Sequence, residues 1–176
     1  TSVYVSTPGG NVLFRQKLTT QSSFVISAPS IDQGVPCRTI LMSPLPPGHI
    51  VRYLNGRLLV GSGNFLHYSE PHALGLYNPQ RNFIPFPEPI TMIEPCQNGF
   101  YISAEQTYWV DGNLPEADLN PVLPYKAVVG TSGQVPNSNN VFWMSERGMV
   151  VGTQNGEVSN MQEDKVAVEP ALVGAS

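Results

Sequence analysis

Charged side chains are scarce in this sequence, at 12% of the 176 residues against roughly 25% in ordinary soluble domains. The nine Lys and Arg residues form no run, and the formal net charge is −4. A generic nucleic-acid surface, which needs a basic patch or stripe, is therefore unsupported. A surface so poor in charge suits a protein covered by neighbours, because isolated soluble domains usually carry more. A polar, uncharged surface rich in Asn, Gln, Ser and Thr suits the composition equally well. Long apolar runs are missing too: none approaches the roughly 18 residues that cross a bilayer as a helix, so no membrane span is expected. No secretory signal pattern is present. The chain opens on Thr1 and enters a strand-like run at once, which reads as a fragment, a processed product or a partly represented protein.

Cysteine is nearly absent. Cys37 and Cys96 stand too far apart for any metal-binding spacing; two free, mostly buried thiols are the expected state, with a disulfide as the alternative. Helix signals are also lacking. No stretch free of Pro and Gly carries apolar residues at i, i+3, i+4 and i+7.

What is present is short β-rich runs punctuated by 17 Pro and 16 Gly. Val3-Tyr4-Val5, the turn Pro8-Gly9-Gly10-Asn11 and Val12-Leu13-Phe14 read as a hairpin. Phe24-Val25-Ile26 and Arg38-Thr39-Ile40-Leu41-Met42 read as further strands, the latter bracketed by Pro36, Pro44, Pro46 and Pro47. Three later segments can be laid over one another. The first runs from His49 through Asn55-Gly56 to Val60 and on to Phe65-Leu66-His67-Tyr68. The second runs from Ile90 through Asn98-Gly99 to Ile102 and on to Thr107-Tyr108-Trp109-Val110. The third runs from Val141 through Arg147-Gly148 to Val151 and on to Glu157–Met161. Each reads strand, glycine turn, strand, polar turn, strand. Gly56, Gly99 and Gly148 then mark equivalent turns at intervals of about 43 and about 49 residues, the spacing of four-stranded propeller blades. The expected fold is all-β: one domain over 1–176 of antiparallel blade-like repeats, a β-propeller or part of one, with units at about 1–47, 48–88, 89–136 and 137–176. Three or four units barely suffice for a closed ring, so a segment of a larger propeller is expected. Val166-Ala167-Val168-Glu169-Pro170 reads as the start of another strand. A plain meander or sandwich, whose hairpins also recur at short intervals, is the alternative.

Pro-rich connections separate the repeats: Ser69 to Pro89, Pro115 to Pro124 and Thr131 to Asn140. The apolar stretch Phe83-Ile84-Pro85-Phe86-Pro87 is expected to be buried, within the domain or against a partner.

Residues able to carry chemistry are few. His67, Glu70 and His72 form the densest polar cluster, but strand alternation points His67 and Glu70 to opposite faces, so no metal site is assigned. There is no Gly-x-Ser-x-Gly elbow, and all three His lie between 49 and 72. Glu105, Asp111, Glu116 and Asp118 could supply a carboxylate pair for glycoside cleavage, yet acidic residues in polar turns are usually only solvated. Trp109, Tyr108 and Trp143 could stack on a sugar, although aromatics on strands more often build the core. Asp111-Gly112-Asn113 lacks the remaining ligands of a calcium loop. No catalytic, cofactor-binding or metal-binding residue is assigned, and no cofactor is expected.

The wording of the middle of the chain carries a resemblance. Asn55-Gly56-Arg57-Leu58-Leu59-Val60, Gly63-Asn64, Leu66-His67-Tyr68-Ser69-Glu70-Pro71, Asn82-Phe83-Ile84-Pro85-Phe86, Ile90-Thr91-Met92, Gly99-Phe100-Tyr101-Ile102 and Tyr108-Trp109-Val110 together resemble bacteriophage tail-associated β-propellers, similar to the nozzle and DNA-stabilisation proteins of short-tailed phages. The resemblance spans roughly 49–161. It implies a non-enzymatic structural component of the virion, in the tail or head-tail region, made in the host cytoplasm and assembled with other virion proteins. It further implies a homo-oligomer in a symmetric assembly, with DNA or a host receptor as possible contacts. Such proteins are much longer than this chain. A carbohydrate- or protein-binding propeller module is the alternative reading.

Overall fold

The computed structural model describes residues 2–10, 12–18, 20–23, 25, 35–37 and 39–162. Among them there is no helix, and every sheet is antiparallel. The chain divides into two compact units, Thr1–Met42 and Ser43–Ser176.

In the first unit β1 (Ser2–Ser6) pairs with β2 (Leu13–Leu18). Gly9, at φ 74°, and the bond from the Gly10 N–H to the Thr7 carbonyl (2.8 Å) close the expected hairpin. Residues 35–37 lie along the free edge of β2, where the Arg15 N–H reaches Val35 O at 2.7 Å and the Cys37 N–H reaches Leu13 O at 2.6 Å. Of the strand expected over 38–42, Arg38 falls outside the described residues and residues 39–42 form no strand. Residues 39–41 turn, with Leu41 at φ 63° and the Met42 N–H bonded to Thr39 O at 3.1 Å. Of the run 24–26, Phe24 and Ile26 fall outside the described residues, as does the whole of 166–170.

Among the described residues, the second unit holds three four-stranded sheets and one small ribbon. The first sheet orders β4 (Ile50–Leu54), β5 (Arg57–Ser62), β6 (Phe65–Tyr68) and β8 (Phe83–Pro85). The second orders β9 (Met92–Pro95), β10 (Gly99–Ser103), β11 (Thr107–Asp111) and β12 (Leu119–Leu123). The third orders β13 (Gly133–Gln134), β14 (Val141–Ser145), β15 (Gly148–Gly152) and β16 (Val158–Asn160). Each sheet is a meander in chain order. The ribbon joins β3 (Ser43–Pro44) to β7 (Leu76–Tyr77).

The sheets stack through period-two alternation. Along β10, Phe100 and Ile102 point to the first sheet and share a core with Leu59, Leu66, Tyr68, Ile93 and Val110. Tyr101, between them, points to the third sheet and shares a second core with Met92, Trp109, Val141, Trp143 and Val150. The middle sheet is thus buried on both faces, and every residue of β9 and β10 is buried. Each fully buried side chain of this size is worth about 1.5–3 kcal/mol relative to exposure.

The repeat is real but its register differs from the expected one. Gly56 lies between the first and second strands of its sheet and Gly99 opens the second strand of its own, whereas Gly148 opens the third strand of its sheet, just after the turn at 146–147. Its counterparts are the turns at 63–64 and 104–106, which with 146–147 follow at intervals of about 42 residues. The true counterpart of the first hairpin turn is the loop at 135–140, where Asn137 takes φ 57°. It escaped notice because β13 has only two residues. For the same reason the third sheet begins ahead of the expected boundary at 136. The fourth strands β8 and β12 and the first strand of the third sheet, β13, all sit inside the Pro-rich connections. Pro85 and Pro121 fit there because β8 and β12 are edge strands, where a missing N–H is tolerated.

The two Asn-Gly pairs also differ in cause. Asn55 and Gly56, at φ 46° and 79°, form a two-residue turn with both residues left-handed. Gly99 instead lies on β10, where a Cβ would come within 2.3 Å of the Val110 carbonyl oxygen.

Glycine at the third sheet's last turn does two things. Gly156 has φ 89°, and a Cβ there would sit 2.7 Å from the Trp109 ring. Gly130 has φ 75° with open space around it. Both alanine variants incur left-handed strain of about 1–2 kcal/mol, but only Gly156→Ala must also displace an indole. Urea denaturation should show Gly156→Ala less stable than Gly130→Ala by about 1–3 kcal/mol; equal losses would contradict this packing.

Candidate functional site

The residues with chemical potential are mostly tied into the stack. His67 stands on β6 on the face away from the middle sheet, stacked on Phe65 (centroids 6.0 Å apart) and edge-on to Tyr77 (5.5 Å). Burial holds its imidazole below the ordinary histidine range, and Nδ1 is buried without a partner. Glu70 receives Arg81 Nη2 at 2.7 Å and Asn82 Nδ2 at 3.0 Å. Burial pushes its carboxyl up, but these bonds and the nearby arginines outweigh it and leave Glu70 below the usual carboxylate range. His72 lies over Gly56, where its ring would meet a Cβ at 2.8 Å. The trio is thus dispersed among three packing roles. Among the described residues no group of three His, Cys, Asp or Glu side chains could hold a metal ion.

The other candidates are held by local contacts. Glu105 accepts the Tyr108 hydroxyl on Oε1 while its Oε2 is buried without a partner, and the Tyr108 ring packs on Phe86 at 5.7 Å. Asp111 Oδ1 accepts the Asn113 N–H at 3.1 Å, an ordinary turn bond. The Glu116 N–H bonds Asn113 O at 3.0 Å, and Asp118 lies on the loop leading to β12. Trp109 and Trp143 are buried on either side of Tyr101, at 4.8 and 5.1 Å between centroids, and present no ring to a sugar. The stretch 83–87 is split rather than buried whole: Phe86 is in the core and Phe83 is exposed. Both cysteines are free. Cys37 is only half-buried, and burial pushes the Cys96 thiol up to about 11.

Two features were not anticipated. The first is a row of polar links where the inner strands of the three sheets approach. Glu94, on β9, is buried; it accepts Arg52 Nη2 from β4 at 3.4 Å and Ser132 Oγ, just before β13, at 2.9 Å. At the other end lies a cavity of about 320 Å³ lined by Tyr53, Leu54, Asn55, Pro95, Cys96, Gln97, Gln134, Ser138 and Asn139. None of these is charged at neutral pH, the Cys96 thiol included because burial raises it, and the amides couple: Asn139 Nδ2 donates to Gln97 Oε1 at 2.7 Å. Each amide retains donor and acceptor capacity for a ligand.

The second feature is the pair of outer sheet faces. On the first sheet, cross-strand partners place Val51, Tyr53, Leu58, Val60, Phe65, His67 and Phe83 on the side away from the core. On the third, Phe142, Met144, Met149 and Val151 lie on the side away from Trp143, with Met161 following β16. Solvated sheet faces are normally polar. The strands present no Asp, Glu, Lys or Arg on either face; the exposed Glu157, just ahead of β16, lies at the margin of the second.

A scan against protein-family models finds no match, and no curated protein matches the chain.

The Glu70 carboxyl gives a pH test. Its folded pKa is depressed, so its contribution is complete above the unfolded value near 4.5 and is lost as pH falls through the lower folded value. The stability gap between wild type and Glu70→Gln should be constant from pH 7 to pH 5 and shrink below pH 4.5. A gap that widened on acidification would reverse the assignment.

Proposed function

We propose that this chain is a non-enzymatic structural component of a bacteriophage virion, in the tail or head-tail region, where it assembles with other virion proteins. The observation that carries the reading is the pair of apolar outer sheet faces. A meander whose two ends both present apolar side chains needs neighbours, because exposed apolar surface of this kind marks interaction sites. In this reading the three sheets are blades of a propeller whose remaining blades come from elsewhere. The resemblance to tail-associated propellers supplies the virion setting, and its phrase falls on structural turns: Asn55-Gly56, Gly63-Asn64 and the Ser69-Glu70 segment, where Leu58 N–H bonds Ser69 Oγ at 3.0 Å. A non-enzymatic role is supported by Glu70, His72, Glu105 and Asp111, each engaged in packing or turn bonds. The net charge of −4 favours protein neighbours over DNA. Mass spectrometry of purified particles should find the chain at a fixed copy number relative to the tail proteins. Its consistent absence from infectious particles would sink the proposal.

A second reading, a saccharide-binding module, draws on the amide-lined cavity. Uncharged amides and an exposed tyrosine ring match a neutral polyhydroxyl ligand. The buried tryptophans no longer support it, so the test moves to the cavity. Glycan-array binding abolished by Tyr53→Ala or Gln97→Ala would favour this module; an empty array would remove it.

A further inference from the structure

We infer that the open face of the third sheet is covered by the open face of the first sheet of a second copy, so that copies stack head to tail. The inference rests on the proposal that these faces are assembly surfaces, and it names the partner.

The argument is one of continuity. Inside the chain every sheet contact has the same sense: the inward face of the first sheet meets the near face of the second, and the far face of the second meets the near face of the third. Among the described residues, what is left over is one near face, on the first sheet, and one far face, on the third. These are the two halves of the contact that the chain already makes twice. A face-to-like-face dimer would instead pair two near faces or two far faces, a sense the fold nowhere uses.

The chemistry agrees. The far face presents Phe142, Met144, Met149, Val151 and Met161, with Met149 36% and Met161 60% exposed. Unbranched methionines adapt to an irregular partner surface. The near face presents Val51 (51% exposed) and Tyr53 (59%) on β4, and Phe65 and Phe83 on the outer strands. Its middle is already covered, since Val60 packs under Gly48 and Tyr77 sits edge-on to His67. The contact therefore uses the two ends of the near face. The strands of the two faces bring no charge to the contact, and the exposed Glu157 lies at its margin, so no ion need be buried when they meet. A contact of this kind uses different patches on the two partners and either closes a ring or propagates.

Sedimentation velocity on the 176-residue chain tests this with two surface variants. Val51→Lys blocks the near face and Met149→Lys blocks the far face. Both positions are exposed in the single chain, and unchanged far-ultraviolet dichroism confirms folding. Wild type should self-associate. Each variant alone should be monomeric, with the dissociation constant raised about 100-fold or more by the buried unpaired ammonium. An equimolar mixture should form a one-to-one dimer, because it restores one intact near face and one intact far face. A monomeric wild type, a single variant that still dimerises, or a mixture that stays monomeric would each overturn head-to-tail stacking. None of these outcomes bears on whether the chain is found in virions, which particle mass spectrometry reads independently.

Discussion

The structure turns on a sheet that must be apolar on both sides. Strand alternation lets β10 send Phe100 and Ile102 one way and Tyr101 the other, so a single strand supplies two cores. A tyrosine buried this way brings a hydroxyl that needs a partner. It finds the Thr153 and Glu157 carbonyls at 2.7 and 3.0 Å, on the turn between β15 and β16. Burial pushes its phenol far above the ordinary range, so it stays a neutral donor. That one bond pair fixes the height of the third sheet against the second. The glycines follow from it: a Cβ at Gly152 would lie 2.6 Å from the Tyr101 ring, and one at Gly156 would strike Trp109.

The same logic governs the polar groups. Stacked sheets bring their inner strands together, where side chains can no longer reach solvent freely. The sequence meets this with matched pairs: Glu94 between Arg52 and Ser132, Asn98 to Asn155 at 2.8 Å, and Arg57 bridging the Ser69 and Leu114 carbonyls at 2.7 and 2.9 Å. These links join neighbouring sheets or close their loops. The outer faces receive no such treatment. They remain apolar and unlinked, as surfaces prepared for another sheet would be.

Much of the architecture was legible from residues alone. The hairpins around Gly9 and Asn55-Gly56 announce themselves, because left-handed backbone demands Gly or Asn in a two-residue turn. The period of the repeat was legible, and its phase was not. Gly99 and Gly148 look like equivalent turn glycines, yet one is needed for close approach to Val110 O and the other for φ 104°. A two-residue strand such as β13 leaves no periodic signal, and prolines on β8 and β12 disguise edge strands as loops. The candidate site was less legible still. Trp109 and Trp143 read as possible stacking platforms until the sheets were seen to enclose them, while Val51, Tyr53 and Met149 look like core residues in a string of letters.

The sequence by itself determined the class: all-β, antiparallel, repeating, with turns where Gly and Asn permit them. These are local properties, set by side-chain branching, backbone sterics and the two-residue period of a strand. Only the tertiary structure decided which face of each strand is covered and by what. Alternation divides residues into two sets without saying which set meets a neighbour. Packing decides that, because an apolar side chain is core or interface only according to what lies within van der Waals reach.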